Sequence, residues 1–195
     1  MSSFGGPELD SIPGANGTNG TNGTNGTNGT NGTNGTNGTN GTNGANGMSI
    51  FAIYEDQKSA GTAGGTFTSG AWQTRVLNTE VTDLSSLGTL AANQVTLIAG
   101  TYYVQARGPR QQVGASKLRL QDITNTVTLI LGSSGFGGAV VAQGDDFFAG
   151  RFVLSGPTAV EVQHICSVTS ATIGFGTAGG FGIETYTQVV FFKIA

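Results

Sequence analysis

The sequence predicts an all-β fold, an antiparallel sandwich or jelly roll, carried behind a rod. Three observations predict it. Residues 50–195 show no helical periodicity of useful length. Short runs rich in Val, Ile, Thr, Tyr and Phe recur there, bounded by Gly, Ser, Asn and Asp. Ahead of them, glycine occupies every third position from Gly14 to Gly47 without a miss. The chain of 195 residues therefore divides into a leader (1–13), a periodic tract (14–49) and a head (50–195).

The leader is too short to fold alone. Its start, Met1-Ser2-Ser3-Phe4-Gly5-Gly6, has neither a basic opening nor an apolar run, so it does not read as a secretory signal. The protein is expected to be made in the cytoplasm and to reach a surface by assembly. Phe4, Pro7, Leu9, Ile12 and Pro13 would be buried contacts if three leaders anchor the base of a rod in a parent particle. The alternative is a frayed terminus. The stretch Gly6-Pro7-Glu8-Leu9-Asp10-Ser11-Ile12-Pro13 resembles the leader of spore-surface collagen-like glycoproteins. Asp10 and Ser11 stand where that leader has prolines.

In the tract, Gly14, Gly17, Gly20, Gly23, Gly26, Gly29, Gly32, Gly35, Gly38, Gly41, Gly44 and Gly47 hold one phase, with Thr and Asn filling most of the other positions. A triple helix of polyproline-II-like chains needs this phase, because only glycine fits at the crowded axis. A flexible linker would have no reason to keep it, although repeat expansion could. Proline is missing from Gly14 to Gly108. Each ordered residue then costs roughly 1–2 kcal/mol of backbone entropy, against about 1 kcal/mol net from an interchain hydrogen bond. A neighbour that gathers three chains is required, and the head is the candidate. Asn16-Gly17-Thr18 and its successors match an N-glycosylation acceptor pattern. The threonines could carry O-linked sugar or stand unmodified.

In the head, strands are expected near Ile50–Glu55, Gln73–Leu77, Val95–Ile98, Thr101–Arg107, Ser116–Ile123, Val127–Leu131, Phe147–Leu154, Ala159–Val168 and Tyr186–Ile194, with one more in Asp83–Leu90. Lys117-Leu118-Arg119-Leu120-Gln121 alternates cleanly. So does Ala159–Val168, where Val160, Val162, His164 and Cys166 share a face. The last strand breaks the rule: Val189, Val190, Phe191 and Phe192 are apolar on both sides. A strand buried on both faces has two partners. One face, with Val189 and Phe191 as the candidates, is expected to meet another subunit. A three-chain rod makes that interface threefold.

Composition excludes several functions. Net charge is −3 from 8 basic and 11 acidic residues, and no Lys/Arg cluster occurs, so nucleic-acid binding is not expected. No apolar stretch of about 18 residues suggests a membrane span. The lone Cys166 allows no intrachain disulfide and no zinc-cysteine site. No cofactor is implied. His164 and Cys166, two apart on a strand, sit among valines with no nearby acid in sequence to orient the imidazole, which reads as interior or axis packing rather than catalysis. Asp145 and Asp146 follow Gly144 in an expected loop and either hold a hard cation or form a solvated turn. Recognition is expected on two loops: Arg107-Gly108-Pro109-Arg110-Gln111-Gln112, and Gly174–Gly182 with Phe175 and Phe181. Trp72 reads as packing.

Gly61-Thr62-Ala63-Gly64-Gly65-Thr66-Phe67-Thr68-Ser69-Gly70-Ala71-Trp72-Gln73-Thr74-Arg75, Ala99-Gly100-Thr101-Tyr102-Tyr103, Gln163-His164-Ile165-Cys166 and Phe192-Lys193-Ile194-Ala195 carry a family resemblance. They are similar to the small jelly-roll heads of the complement globular-head and tumour-necrosis-factor superfamily. Nearly all of residues 50–195 takes part. The resemblance implies a ten-stranded trimeric jelly roll with its last strand near the threefold axis, often behind a collagen-like stalk and sometimes holding calcium. Such heads recur in phage and giant-virus structural proteins. The expected whole is a non-enzymatic homotrimeric fibre on a virion, or alternatively on a spore, whose head meets a host-surface or glycan receptor.

Overall fold

The computed structural model describes residues 50–138 and 143–194, and Gly23 alone before them. The rest of the expected stalk and all five leader contacts lie outside the described residues.

Eleven strands build the head: β1 (Phe51–Lys58), β2 (Gln73–Thr74), β3 (Thr79–Asp83), β4 (Gly88–Ala91), β5 (Gln94–Leu97), β6 (Gly100–Gln111), β7 (Gly114–Asp122), β8 (Val127–Gly137), β9 (Gln143–Leu154), β10 (Thr158–Cys166) and β11 (Glu184–Lys193). No helix occurs among the described residues. One sheet runs β3-β1-β11-β6-β9. The other runs β4-β5-β10-β7-β8, with β2 also on β10. All pairs are antiparallel. The pairing is nested: β7 with β8, β6 with β9, β5 with β10, and β1 with β11. A hairpin rolled up in this way, its halves shared between two sheets, is a jelly roll.

The core lies between the sheets. Tyr54, Tyr102, Val104, Leu118, Leu120, Phe148, Val162 and Phe191 point into it and are buried. Each large apolar side chain so buried contributes roughly 1.5–3 kcal/mol. Where β8 and β9 meet at a corner, glycine permits close approach. A Cβ on Gly132 would stand 2.5 Å from the Phe147 carbonyl oxygen, and one on Gly150 would stand 2.6 Å from Ile130.

Several boundaries differ from expectation. Asp83–Leu90 is not one strand but the end of β3, a turn and the start of β4. The Asp83 carboxylate accepts hydrogen bonds from the backbone N–H groups of Ser85, Leu87 and Gly88 at 3.2, 2.8 and 2.9 Å, and Ser86 adopts φ +51°. A side chain that satisfies three backbone donors competes with the sheet ladder and wins. Arg107–Gln111, expected as a turn, continues β6, and the turn falls at Gln112 with φ +55°. Pro109 is tolerated there because β11 pairs with β6 only as far as Arg107. The Gln111 N–H goes instead to the Gly174 carbonyl. By the two-residue alternation, position 109 would direct its missing donor to that same vacated side. Asp145 and Asp146, expected in a loop, lie in β9 opposite Pro109 and Gly108.

Candidate functional site

The outer face of the β3-β1-β11-β6-β9 sheet is the first candidate. Val189 and Phe191 are fully buried, but toward the core of their own head. The expectation that Val189 and Phe191 face another subunit is therefore corrected: both are core, and Val190 and Phe192 are the outward pair. Register places Phe51 and Tyr103 on either side of Phe192, and Ile53 and Gln105 on either side of Val190. The Phe51 and Phe192 rings lie 6.1 Å apart, and those of Tyr103 and Phe192 lie 6.4 Å apart. On β9, Phe147 and Val153 are 46 % and 58 % exposed, with the exposed Arg151, which pairs with Tyr103, on the same face between them. A depression of about 100 Å³ lies between Gln105, Ala106, Arg107, Phe147, Gln188 and Val190. Polar groups appear toward the C-terminal end of β1, where Gln188 donates to Glu55 and Arg107 stands 3.7 Å from Asp145. The apolar part lies at the end where the chain enters the head, and Phe51 belongs to it. Contiguous apolar surface of this kind marks interaction sites.

The outer face of the other sheet is built differently. Arg119 gives Nε and Nη2 to the Gln163 carbonyl oxygen at 3.0 and 2.7 Å, and Nη1 to the Thr128 hydroxyl at 3.1 Å. Gln163 in turn donates to Glu161, which also accepts from Thr74 and Gln94. The guanidinium lies 4.1 Å from the Trp72 ring centre. Every member of this ladder has a partner within it. Exposed apolar side chains on this sheet, Val127, Leu131 and Phe136, belong to its edge strand β8.

A buried ionic cluster lies inside the head, in the half opposite chain entry. Asp146 accepts from Arg110 Nε at 2.7 Å through one oxygen and contacts His164 Nε2 at 2.7 Å through the other. His164 is 0 % exposed and Asp146 is 2 % exposed. Arg75, 1 % exposed, donates to the Thr187 hydroxyl at 2.7 Å and lies 4.1 Å from the centre of the Phe175 ring. Burial lowers the Arg75 pKa to about 10 and that of His164 to about 4. Burial raises the Asp146 carboxyl, but the hydrogen bonds from His164 and Arg110 help to outweigh it and hold the group below its ordinary range. Cys166 is pushed up to about 11 by burial.

These positions revise the chemistry read from the sequence. His164 does have an acid to orient it, Asp146, which comes from β9 and so was invisible along β10. Cys166 directs its sulfur to the Val168 carbonyl at 3.3 Å, not to the imidazole. A thiol raised in pKa and a fully buried imidazole make a poor nucleophile pair. Asp146 is committed to Arg110 and the neutral His164 ring, and Asp145 faces Arg107, so the two carboxylates do not converge on a cation. Of the expected recognition residues, Arg110, Gln111 and Phe175 are drawn inward. Arg107 and Phe181 remain at the surface, Phe181 fully so at 101 %. Arg75 was missed. Its position two residues before Leu77 on an expected strand was the available signal.

No protein-family model and no curated protein matches the sequence. Among solved structures, the globular domain of zebrafish complement 1qA protein aligns with a TM-score of 0.49 at 15% identity, over 75% of this chain and 97% of its own. The Eiger TNF of S. frugiperda gives 0.49 at 15% identity, over 75% and 92%. PRD1 vertex protein P5 gives 0.47 at 13% identity, over 77% and 100%.

Proposed function

We propose that the chain is a non-enzymatic, homotrimeric surface fibre. The head closes three copies through the outer face of β1, β11, β6 and β9. Residues 14–49 then wind as a collagen-like stalk, and residues 1–13 anchor the fibre to its parent particle. The particle is a virion on this reading, in keeping with the sequence likeness of the head to phage and giant-virus heads, and the head is displayed toward a host-surface or glycan receptor. The leader pattern Gly6–Pro13 favours a spore surface as the second reading.

One observation carries the proposal. Phe51, Ile53, Tyr103, Val190 and Phe192 form an outward apolar patch beside the residue at which the period-three tract joins the head. Covering such side chains is worth roughly 1.5–3 kcal/mol each when complete, enough to set the register of a proline-free tract that cannot gather itself. The burial of His164 and Cys166 argues against that pair as a catalytic one.

Sedimentation equilibrium of the full chain at micromolar concentration tests the reading. A species of three times 19.7 kDa is expected. A clean monomer or dimer would overturn it.

A further inference from the structure

The ionic cluster sits beneath two loops that the β-ladders do not hold. Residues 59–72 and 167–183 cross each other at the end of the head opposite chain entry. They are joined by backbone bonds between Phe67 and Ser170 in both directions, from Gly65 to Thr172, from Gly64 to Gly176 and from Phe175 to Gly65. The Glu184 carboxylate adds a clamp by accepting from the N–H groups of Gly61, Gly179 and Gly180. Beneath them Phe67 stacks on Phe175 with ring centres 4.4 Å apart, and His164 supports Phe67 at 4.6 Å. The imidazole is thus the floor of the loop layer.

That floor is held in one protonation state. The Asp146 carboxylate only accepts, so His164 Nε2 carries the proton. Nδ1 is then a bare acceptor, and it has no hydrogen-bond partner among the described residues. A second proton on the ring would leave an N–H with nothing to meet it, in a space already holding two guanidiniums. The groups around it are Asp146 on β9, Arg110 on β6, Ser116 on β7 and Arg75 after β2. Asp56 on β1 acts on Arg75, and Thr187 on β11 accepts from it. Asp146, the carboxylate in contact with the ring, is already shared with Arg110, and Asp56 and Asp145 act on Arg75, so another buried cation is not offset.

We propose that His164 is an acid-operated latch: its protonation releases the crossed loops 59–72 and 167–183 while the two sheets stay paired. The sign follows from linkage. The folded-state pKa of His164, about 4, is below its ordinary 6.5. The open state therefore takes up the proton first, and the latch weakens as pH falls from about 6.5 to about 4. Asp146, also depressed, adds a loss of the same sign only below its ordinary 3.8. Asp56, raised by burial, acts in the opposite sense as it protonates.

The chain has one histidine, so its ring nitrogen resonances are unambiguous. Hydrogen exchange of the full chain, corrected for intrinsic rates, should show the amides of Gly65, Phe67, Ser170 and Phe175 opening about tenfold more per pH unit from pH 6 to 4.5, the slope of a single proton. Amides within the β6–β9 pairing should hold. In His164→Gln, which keeps a donor for Asp146 but cannot titrate, the slope should vanish. An unchanged slope in that variant, or sheets opening together with the loops, overturns the latch. Should the variant not fold, nitrogen shifts of the unmutated chain decide. Imidazole protonation coincident with loop opening supports the proposal, and protonation with the loops closed refutes it.

Discussion

The two outer faces of the head share the same antiparallel geometry, yet they solve exposure in opposite ways. On the β2, β5, β7 and β10 side, Arg119, Gln163, Glu161, Thr74 and Gln94 satisfy one another. On the β1, β11 and β6 side, Phe51, Phe192 and Tyr103 lie side by side, partly exposed. A face whose polar groups are paired internally has nothing to gain from cover. A face of adjacent aromatic rings gains with every ring covered. The difference assigns the two sheets to different surroundings.

Substitutions can break this contrast, and the largest effect is expected at its centre. Val190→Glu puts a carboxylate between Ile53 and Gln105 on a face open to solvent in the single head. The head should keep its β-sheet circular dichroism while the proposed trimer dissociates, with association weakened more than a hundredfold. Desolvating an unpaired charge at three copies of an interface far exceeds the worth of the lost methyl groups. Phe192→Ala should loosen the same association about tenfold, in line with the loss of about 1.4 kcal/mol or more of covered ring. Both effects would be read from sedimentation across a concentration series. On the opposite face, Arg119→Ala removes the contact to Trp72 and the bonds to Gln163 and Thr128. It should lower thermal stability by about 0.5–1 kcal/mol and leave the sedimenting species unchanged. A dissociated Arg119→Ala protein would place the interface on the wrong sheet.

Much of this contrast is visible along the chain. The alternation of Lys117–Gln121 states which side of β7 is wet, and the four apolar residues Val189–Phe192 state that β11 has none. Period alone cannot say which of two apolar faces points inward. The structure puts Val189 and Phe191 there because they share the inner side of their sheet with Tyr54 and Val104 on the neighbouring strands, facing Leu118, Leu120 and Val162 of the other sheet. The Arg110–Asp146–His164 cluster was illegible for a related reason. Its members are 36 and 18 residues apart and meet only because β6, β9 and β10 are nested. Reading Gly108-Pro109 as a turn was sound local chemistry. It lost to a strand whose far edge had no ladder partner at that point. The triplet phase of residues 14–49 is the plainest signal in the sequence, and apart from Gly23 it lies outside the described residues.

The nested pairing also sets an order of events. The apolar patch is made from the first strand of the head and the last, with β6 alongside. During synthesis from the N-terminus, β1 emerges early and waits for a partner more than 120 residues away, since Phe51 pairs with Phe192. Such a distant contact forms late and slowly. The surface proposed to join copies therefore cannot exist until the final strand has left the ribosome. A truncated or stalled chain would carry the whole period-three tract but lack the patch, and so would not enlist complete copies into a defective assembly.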